Sequence, residues 1–319
     1  MRVSTNQLYT QKMNGIFDAQ SKWMKLSEQL SSGHRVINPS DDPLAASQSI
    51  MVSQSESKNQ QFATARNFAK STISLQTSII GDVIQTTFNV TGTLVADAHS
   101  DQDRASYAQQ LKELKKALLN LGNKTDGNGR YIFAGYKTDV PPFVEDDSGK
   151  VSYVGGDQEI TQKVDDNRSM IIAHTGKQVF LSQPSKPIKE PDNKTNSESD
   201  VFASIDMAIK ALEISYSTAS EDEKKEAEEL MDKANRGIRN SRENFYSVQA
   251  VLGSQLQELD KLDALGSERS IANQAHLGEL AGDDLIGIIT DYRQQQTALQ
   301  ASFIAFTDLK GMSLFEMHR

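Results

Sequence analysis

Gln29-Leu30-Ser31-Ser32-Gly33-His34-Arg35-Val36-Ile37-Asn38-Pro39-Ser40-Asp41-Asp42-Pro43 stops one helix and starts another. Upstream, Tyr9, Met13, Ile16, Trp23 and Leu30 recur in alternating steps of four and three, with Gln20 and Ser27 completing the register. That spacing predicts a helix from about Thr5 to Ser32 with one apolar stripe. Gly33 supplies the left-handed stop. Downstream, Asp42 is placed to cap a new helix, and Pro43 takes its first position, where a missing N–H costs nothing.

The prolines extend this plan along the chain. They stand at Pro39, Pro43, Pro141, Pro142, Pro184, Pro187 and Pro191, leaving 44–140 and 192–319 free, as long helices require. A helix from Pro43 can run through the nineties. Ser100 and Asp103 form a capping box for the next helix, which Gly122 ends. Helix resumes at Val201, breaks near Ser217 and restarts at the Ser220/Glu223 box. It runs to about Asp263, with Gly266 as a joint. The last helix begins near Asp283 and Asp284, and Leu285, Ile289, Tyr292, Gln296, Leu299, Phe303 and Phe306 again step by four and three.

Between the helical stretches the pattern changes. Short β-branched and aromatic runs (151–154, 159–164, 170–173, 178–181) alternate with turn residues, which predicts a small antiparallel β-insert. Residues 183–200 read as an exposed return linker. The expected fold class is mainly α. It is an elongated rod of long N- and C-terminal helices in coiled-coil arrangement, with the β-insert at its tip. Three parts follow: 1–40 with 271–319 as a terminal-helix domain, 41–138 with 192–270 as a helical domain, and 139–191 as the β-rich insert. Bounded by Pro141 and Pro191, the insert is expected to be dispensable.

Composition narrows the function. The chain of 319 residues carries no cysteine, which removes disulfides, thiolate metal sites and thiol catalysis. A net charge of −9 and the lack of a Lys/Arg cluster argue against a nucleic-acid partner. No apolar run approaches the ~20 residues of a membrane span. Residues 1–15 lack the apolar core and cleavage site of a secretory signal. The five histidines (His34, His99, His174, His276, His318) show no metal-ligand spacing. Asp126-Gly127-Asn128-Gly129-Arg130 lacks the strand before it and the Lys-Ser/Thr after it that a phosphate loop needs, so it reads as a tight turn. No catalytic residue, cofactor or metal site is expected.

The terminal stripes are then the candidate functional surface: Tyr9, Met13, Ile16, Trp23 and Leu30 at one end, Leu285, Ile289, Tyr292, Leu299, Phe303 and Phe306 at the other. Burying the first five contributes on the order of 10 kcal/mol. Ordering their helix costs roughly 30–50 kcal/mol before its hydrogen bonds offset that. Such a helix needs a partner along its length. Val3, Leu8, Phe17, Met24 and Leu26 lie off the main register, as do Ile286, Ile288, Ile304 and Leu309. A second apolar face of this kind points to neighbouring subunits, with ordinary intramolecular core as the other reading.

The quoted stretch, followed by Leu44-Ala45-Ala46, resembles the N-terminal signature of the bacterial flagellin family. Its Asn38-Pro39-Ser40-Asp41-Asp42-Pro43 form is similar to the hook-filament junction branch of that family. The 127–135 turn ending Phe133-Ala134-Gly135 and the C-terminal stretch from Gln300-Ala301-Ser302-Phe303 to Gly311-Met312-Ser313-Leu314-Phe315 are similar to the same branch. His34 departs from the Lys usual there. The resemblance implies a structural subunit of the bacterial flagellum, with Gly33, Asn38, Pro39, Asp41, Asp42, Pro43 and Gly135 as structural motif positions. It also implies partners: further copies of the chain in a helical assembly, an adjacent hook-associated protein, flagellin and an export chaperone, with no nucleic acid and no membrane. Location would be extracellular, on the flagellum, after type III export without a cleaved signal. The filament subunit, flagellin itself, is the near alternative; a cytoplasmic coiled-coil signalling module is the distant one.

Overall fold

A computed structural model describes residues 5–95, 100–191, 195–282 and 285–316. Six α-helices, four short strands and one π-helical turn follow in order. They are α1 Thr5–Ser32, α2 Pro43–Val95, α3 Asp101–Gly122, β1 Phe143–Glu145, β2 Val151–Tyr153, β3 Ile160–Asp165, β4 Arg168–Ala173, the π-turn Lys177–Leu181, α4 Val201–Glu213, α5 Glu221–Ala281 and α6 Leu285–Glu316. The fold is mainly α with a small antiparallel β region.

The helix boundaries follow from caps. Gly33, at φ 72°, donates to Gln29 O at 2.9 Å and closes α1. The Asp42 carboxylate accepts from Ala45 N at 3.0 Å and opens α2. The expected capping boxes are present at Ser100/Asp103 and Ser220/Glu223. Asp200 caps α4 through Phe202 N and Ala203 N.

Two expectations are corrected. Gly266 is not a joint: α5 runs unbroken through it to Ala281, and its carbonyl accepts from Asn59 Nδ2 at 2.7 Å. Residues 178–181 are not a strand but part of the π-turn. Asn244 Nδ2 donates to the carbonyls of Gln178 and Val179 at 2.8 and 2.7 Å, groups that a strand partner would otherwise take. Strand β1 lies inside the expected insert but outside the four strand runs read from sequence. Asp283 and Asp284, the expected start of α6, lie outside the described residues.

The chain divides into two compact units, residues 1–60 with 266–319 and residues 61–265. In the second unit, β1 pairs with β2 and β3 with β4, as two separate antiparallel hairpins. Residues 139–191, expected as a part of their own, put Phe143, Val151, Val164, Met170, Ile172, Val179 and Phe180 into the same core as Ile73, Ile80, Leu111, Phe202, Ile238 and Phe245. Its centre is aromatic: Phe143 meets Tyr153, Phe180 and Phe202 at centroid distances of 5.3, 5.1 and 5.4 Å, and Phe180 meets Phe133 and Phe245 at 5.6 Å. Phe143 fits because Gly122 and Gly176 have no side chain. A Cβ on either would come within 2.8 Å of its ring.

In the first unit, α1 packs antiparallel against α6. Beside them the first part of α2 pairs with the last part of α5 through polar groups. Buried Glu56 accepts from Ser270 Oγ at 2.6 Å, Asn273 Nδ2 at 3.0 Å and Gln60 Nε2 at 3.1 Å.

Candidate subunit interface

The α1–α6 pair carries the residues singled out from sequence. Tyr9 lies 5.1 Å from Phe306 between ring centroids, and Trp23 lies 5.7 Å from Tyr292. Between these pairs Gln295 Nε2 donates to Ala19 O at 3.3 Å. On α1, Ile16 is buried and Met13, Trp23 and Leu30 are half-buried, whereas Tyr9 stays 51% exposed beside Phe306.

On α6 the inward face is Ile288, Tyr292, Gln295, Leu299, Ser302 and Phe306. Tyr292, Leu299 and Phe306 were expected in one stripe with Leu285, Ile289 and Phe303. The structure separates these two sets, leaving the second exposed with Ile286 and Ile304. Ile288, assigned from sequence to the outer face, is inside the pair at 7% exposure. Leu26 also turns half inward, whereas Phe17 and Met24 stay exposed at 57% and 58%. Val3 and the side chains of Leu8 and Leu309 lie outside the described residues. What remains outward is an apolar set on both helices: Phe17, Met24, Leu285, Ile286, Ile289, Phe303 and Ile304.

The quoted loop between α1 and α2 is built from its own polar groups. Asp41 Oδ2 accepts from Ile37 N and Asn38 N at 3.3 and 3.1 Å, and Oδ1 meets Lys25 Nζ at 2.6 Å. The Lys25 hydrogen bond comes first among the causes that hold the Asp41 carboxyl below its usual range. Asp42 is lowered likewise, first by the Ala45 N–H it caps and then by Arg35. Gly135, at φ 59°, sits so close to the Gln158 and Gly156 carbonyls that a Cβ would come within 2.9 Å of both. Phe133, two residues earlier, accepts from Gly176 N at 2.7 Å and from the Tyr153 hydroxyl at 3.0 Å.

Residues 3–138 match the family described as the bacterial flagellin N-terminal helical region. Over its whole length the chain is 47% identical to flagellar hook-associated protein 3 of Escherichia coli K12, and 46% identical to that of Salmonella typhimurium LT2. Both alignments cover 100% of either chain. The chain belongs to the flagellar hook-associated protein 3 family. Membership makes it a flagellar protein. Two solved structures share its fold. One is a hook-associated protein of Vibrio parahaemolyticus, with TM-score 0.62 and 20% identity over 76% of this chain and 100% of that one. The other is the flagellar junction protein of Legionella pneumophila, with TM-score 0.61 and 17% identity over 74% and 100%.

Among the described residues no group of three His, Asp or Glu side chains could hold a metal ion. No described helix is long and apolar enough to cross a membrane.

Proposed function

We propose that this hook-associated protein 3 family member is the structural subunit that joins the hook-side proteins to the flagellin filament. It works by packing, without catalysis or a cofactor. The observation that carries this is the full-length identity of 47% to a flagellar hook-associated protein, in a chain whose α1–α6 pair keeps an apolar face outward. Repeated copies of residues 1–40 with 271–319 cover one another's outward faces. A head-to-tail contact of that kind generates a helical layer. Leu285, Ile289 and Phe303 on α6, with Phe17 and Met24 on α1, make the contacts between copies. Tyr9, Met13, Ile16, Trp23, Leu30, Tyr292, Leu299 and Phe306 hold the pair that presents them. The layer meets an adjacent hook-associated protein on one side and flagellin on the other.

The subunit reaches the cell exterior unfolded, through the flagellar export channel and with an export chaperone. A chain without cysteine suits that route, since nothing in it can cross-link in transit. The test is a deletion strain viewed by negative stain, with flagellin measured in the medium. Cells should bear hooks without filaments and release flagellin, and a plasmid copy of this chain should restore filaments. Normal filaments on the deletion strain would overturn the proposal.

A further inference from the structure

Two matched helix stops meet in the first unit. Gly33 closes α1 and Gly282 closes α5, at φ 72° and 76°. Each donates its N–H back four residues at 2.9 Å, to Gln29 O and Gly278 O. Arg35 ties the two stops together. Its N–H donates to Gly282 O at 3.2 Å, and its own carbonyl accepts from Gln29 Nε2 at 2.5 Å. Its guanidinium Nη2 reaches Leu280 O at 3.3 Å and Asp42 Oδ2 at 3.5 Å. One residue therefore holds the end of α1, the cap of α2 and the open carbonyls at the end of α5. A cation belongs at those carbonyls.

Heptad stripes do not by themselves choose a register. Sliding one helix by seven residues moves it about 10 Å and still sets apolar side chains on apolar ones. In this pair the offset is constant: Tyr9 faces Phe306 and Trp23 faces Tyr292. Carried to the end of α1, the same offset brings residue 33 opposite residue 282, where the clasp lies. We propose that Arg35 and Gly282 are positioning residues that set the register of the α1–α6 pair. The clasp fixes where α6 starts relative to where α1 stops, so one of the heptad-related registers survives. This does not rest on the junction reading, because it concerns a pair within one chain.

Since the chain has no cysteine, engineered thiols report register directly. Ser302→Cys is combined either with Met13→Cys, which faces it at the observed offset, or with Gln20→Cys, which faces it after a slip of one heptad. The full-length chain is oxidised briefly and the cross-linked fraction measured. The Met13/Ser302 pair should dominate. Arg35→Ala should move the ratio toward the slipped pair by roughly two- to fivefold, the scale of a lost helix-end cation. Arg35→Lys should restore most of it. Gly282→Ala should shift it by about tenfold, because its Cβ would lie 2.6 Å from that of Arg35 at a positive φ. Melting of residues 61–265 is followed in parallel and should not change. An unchanged ratio in Arg35→Ala and Gly282→Ala would overturn the proposal. So would failure of the Met13/Ser302 pair to cross-link in the parent chain.

Discussion

Phe306 packs its ring against Tyr9, 5.1 Å between centroids, while Phe303, one turn earlier on the same helix, is 48% exposed. Two residues of one apolar run thus have different work. Phe303→Ala should leave the α1–α6 pair and monomer melting unchanged while filaments detach. Phe306→Ala should cost the pair about 2 kcal/mol, less than a fully buried Phe because it is only half covered. Hydrogen exchange of α1 separates the two: faster exchange in Phe303→Ala would show that this side chain is monomer core.

The β region shares its core with the helices, so the expectation that it is dispensable is replaced. Substituting a short linker for 141–190 would strip Phe143 and Phe180 from Phe202 and Phe245. The product should melt far lower and export poorly. Phe180→Ala alone should cost about 3–5 kcal/mol, read as a lower midpoint in denaturant. Unchanged melting of the deletion variant would mean the helices close over the gap unaided.

Acid should act in two steps. His174 is 8% exposed and burial pushes its imidazole below the ordinary range, against a smaller opposing pull from Glu159, whose Oε1 lies 3.9 Å from Nδ1. The unfolded chain takes up this proton first, near pH 6.5. Stability is therefore full above that pH and falls as pH drops from there toward the folded value. His174→Gln should flatten this part of the curve. Asp101 belongs to the second step, together with Asp41 and Asp42, whose carboxyls are lowered as well. Hydrogen bonds from Ser217 and Ser215 lower Asp101 to about 2. Its contribution is present above the unfolded value near 4 and is lost as pH falls through about 2. Denaturant midpoints from pH 8 to pH 2 check both, and a flat parent curve from pH 7 to 5 would count against His174.

Free in solution, residues 5–35 and 285–316 should open before residues 61–265. The pair buries one face only, and helices of this length depend on tertiary cover. Limited proteolysis should trim both ends and spare the middle, and assembly should protect them. Equal protection in both states would show that the pair needs no neighbours.

Local signals were legible in the sequence, and long-range choices were not. Gly33, Asp42-Pro43 and the serine boxes set helix ends through contacts within four residues. The π-turn was missed because Gln178-Val179-Phe180-Leu181 has strand composition, and Asn244, 66 and 65 residues from the two carbonyls it takes, decides the outcome. Gly266 looked like a joint because glycine weakens helices by about 1 kcal/mol, but Asn59 bonds its carbonyl and Glu56 holds Ser270 one turn on, tying α2 to α5. The inward face of α6 was misjudged for a related reason. Apolar residues at 285, 286, 288 and 289 spread over roughly 160° of the helix, wider than one seam, so its phase is chosen by α1.

Pairing the first helix with the last also orders events in time. Between Tyr9 and Phe306 a ribosome adding about 5–20 residues per second needs roughly 15–60 s. Through that interval α1 has no α6 to pair with, and its stripe is open to any binder that keeps the chain extended. A product broken off before residue 285 never covers that stripe. Incomplete chains therefore keep an uncovered apolar stripe at their own N-terminus.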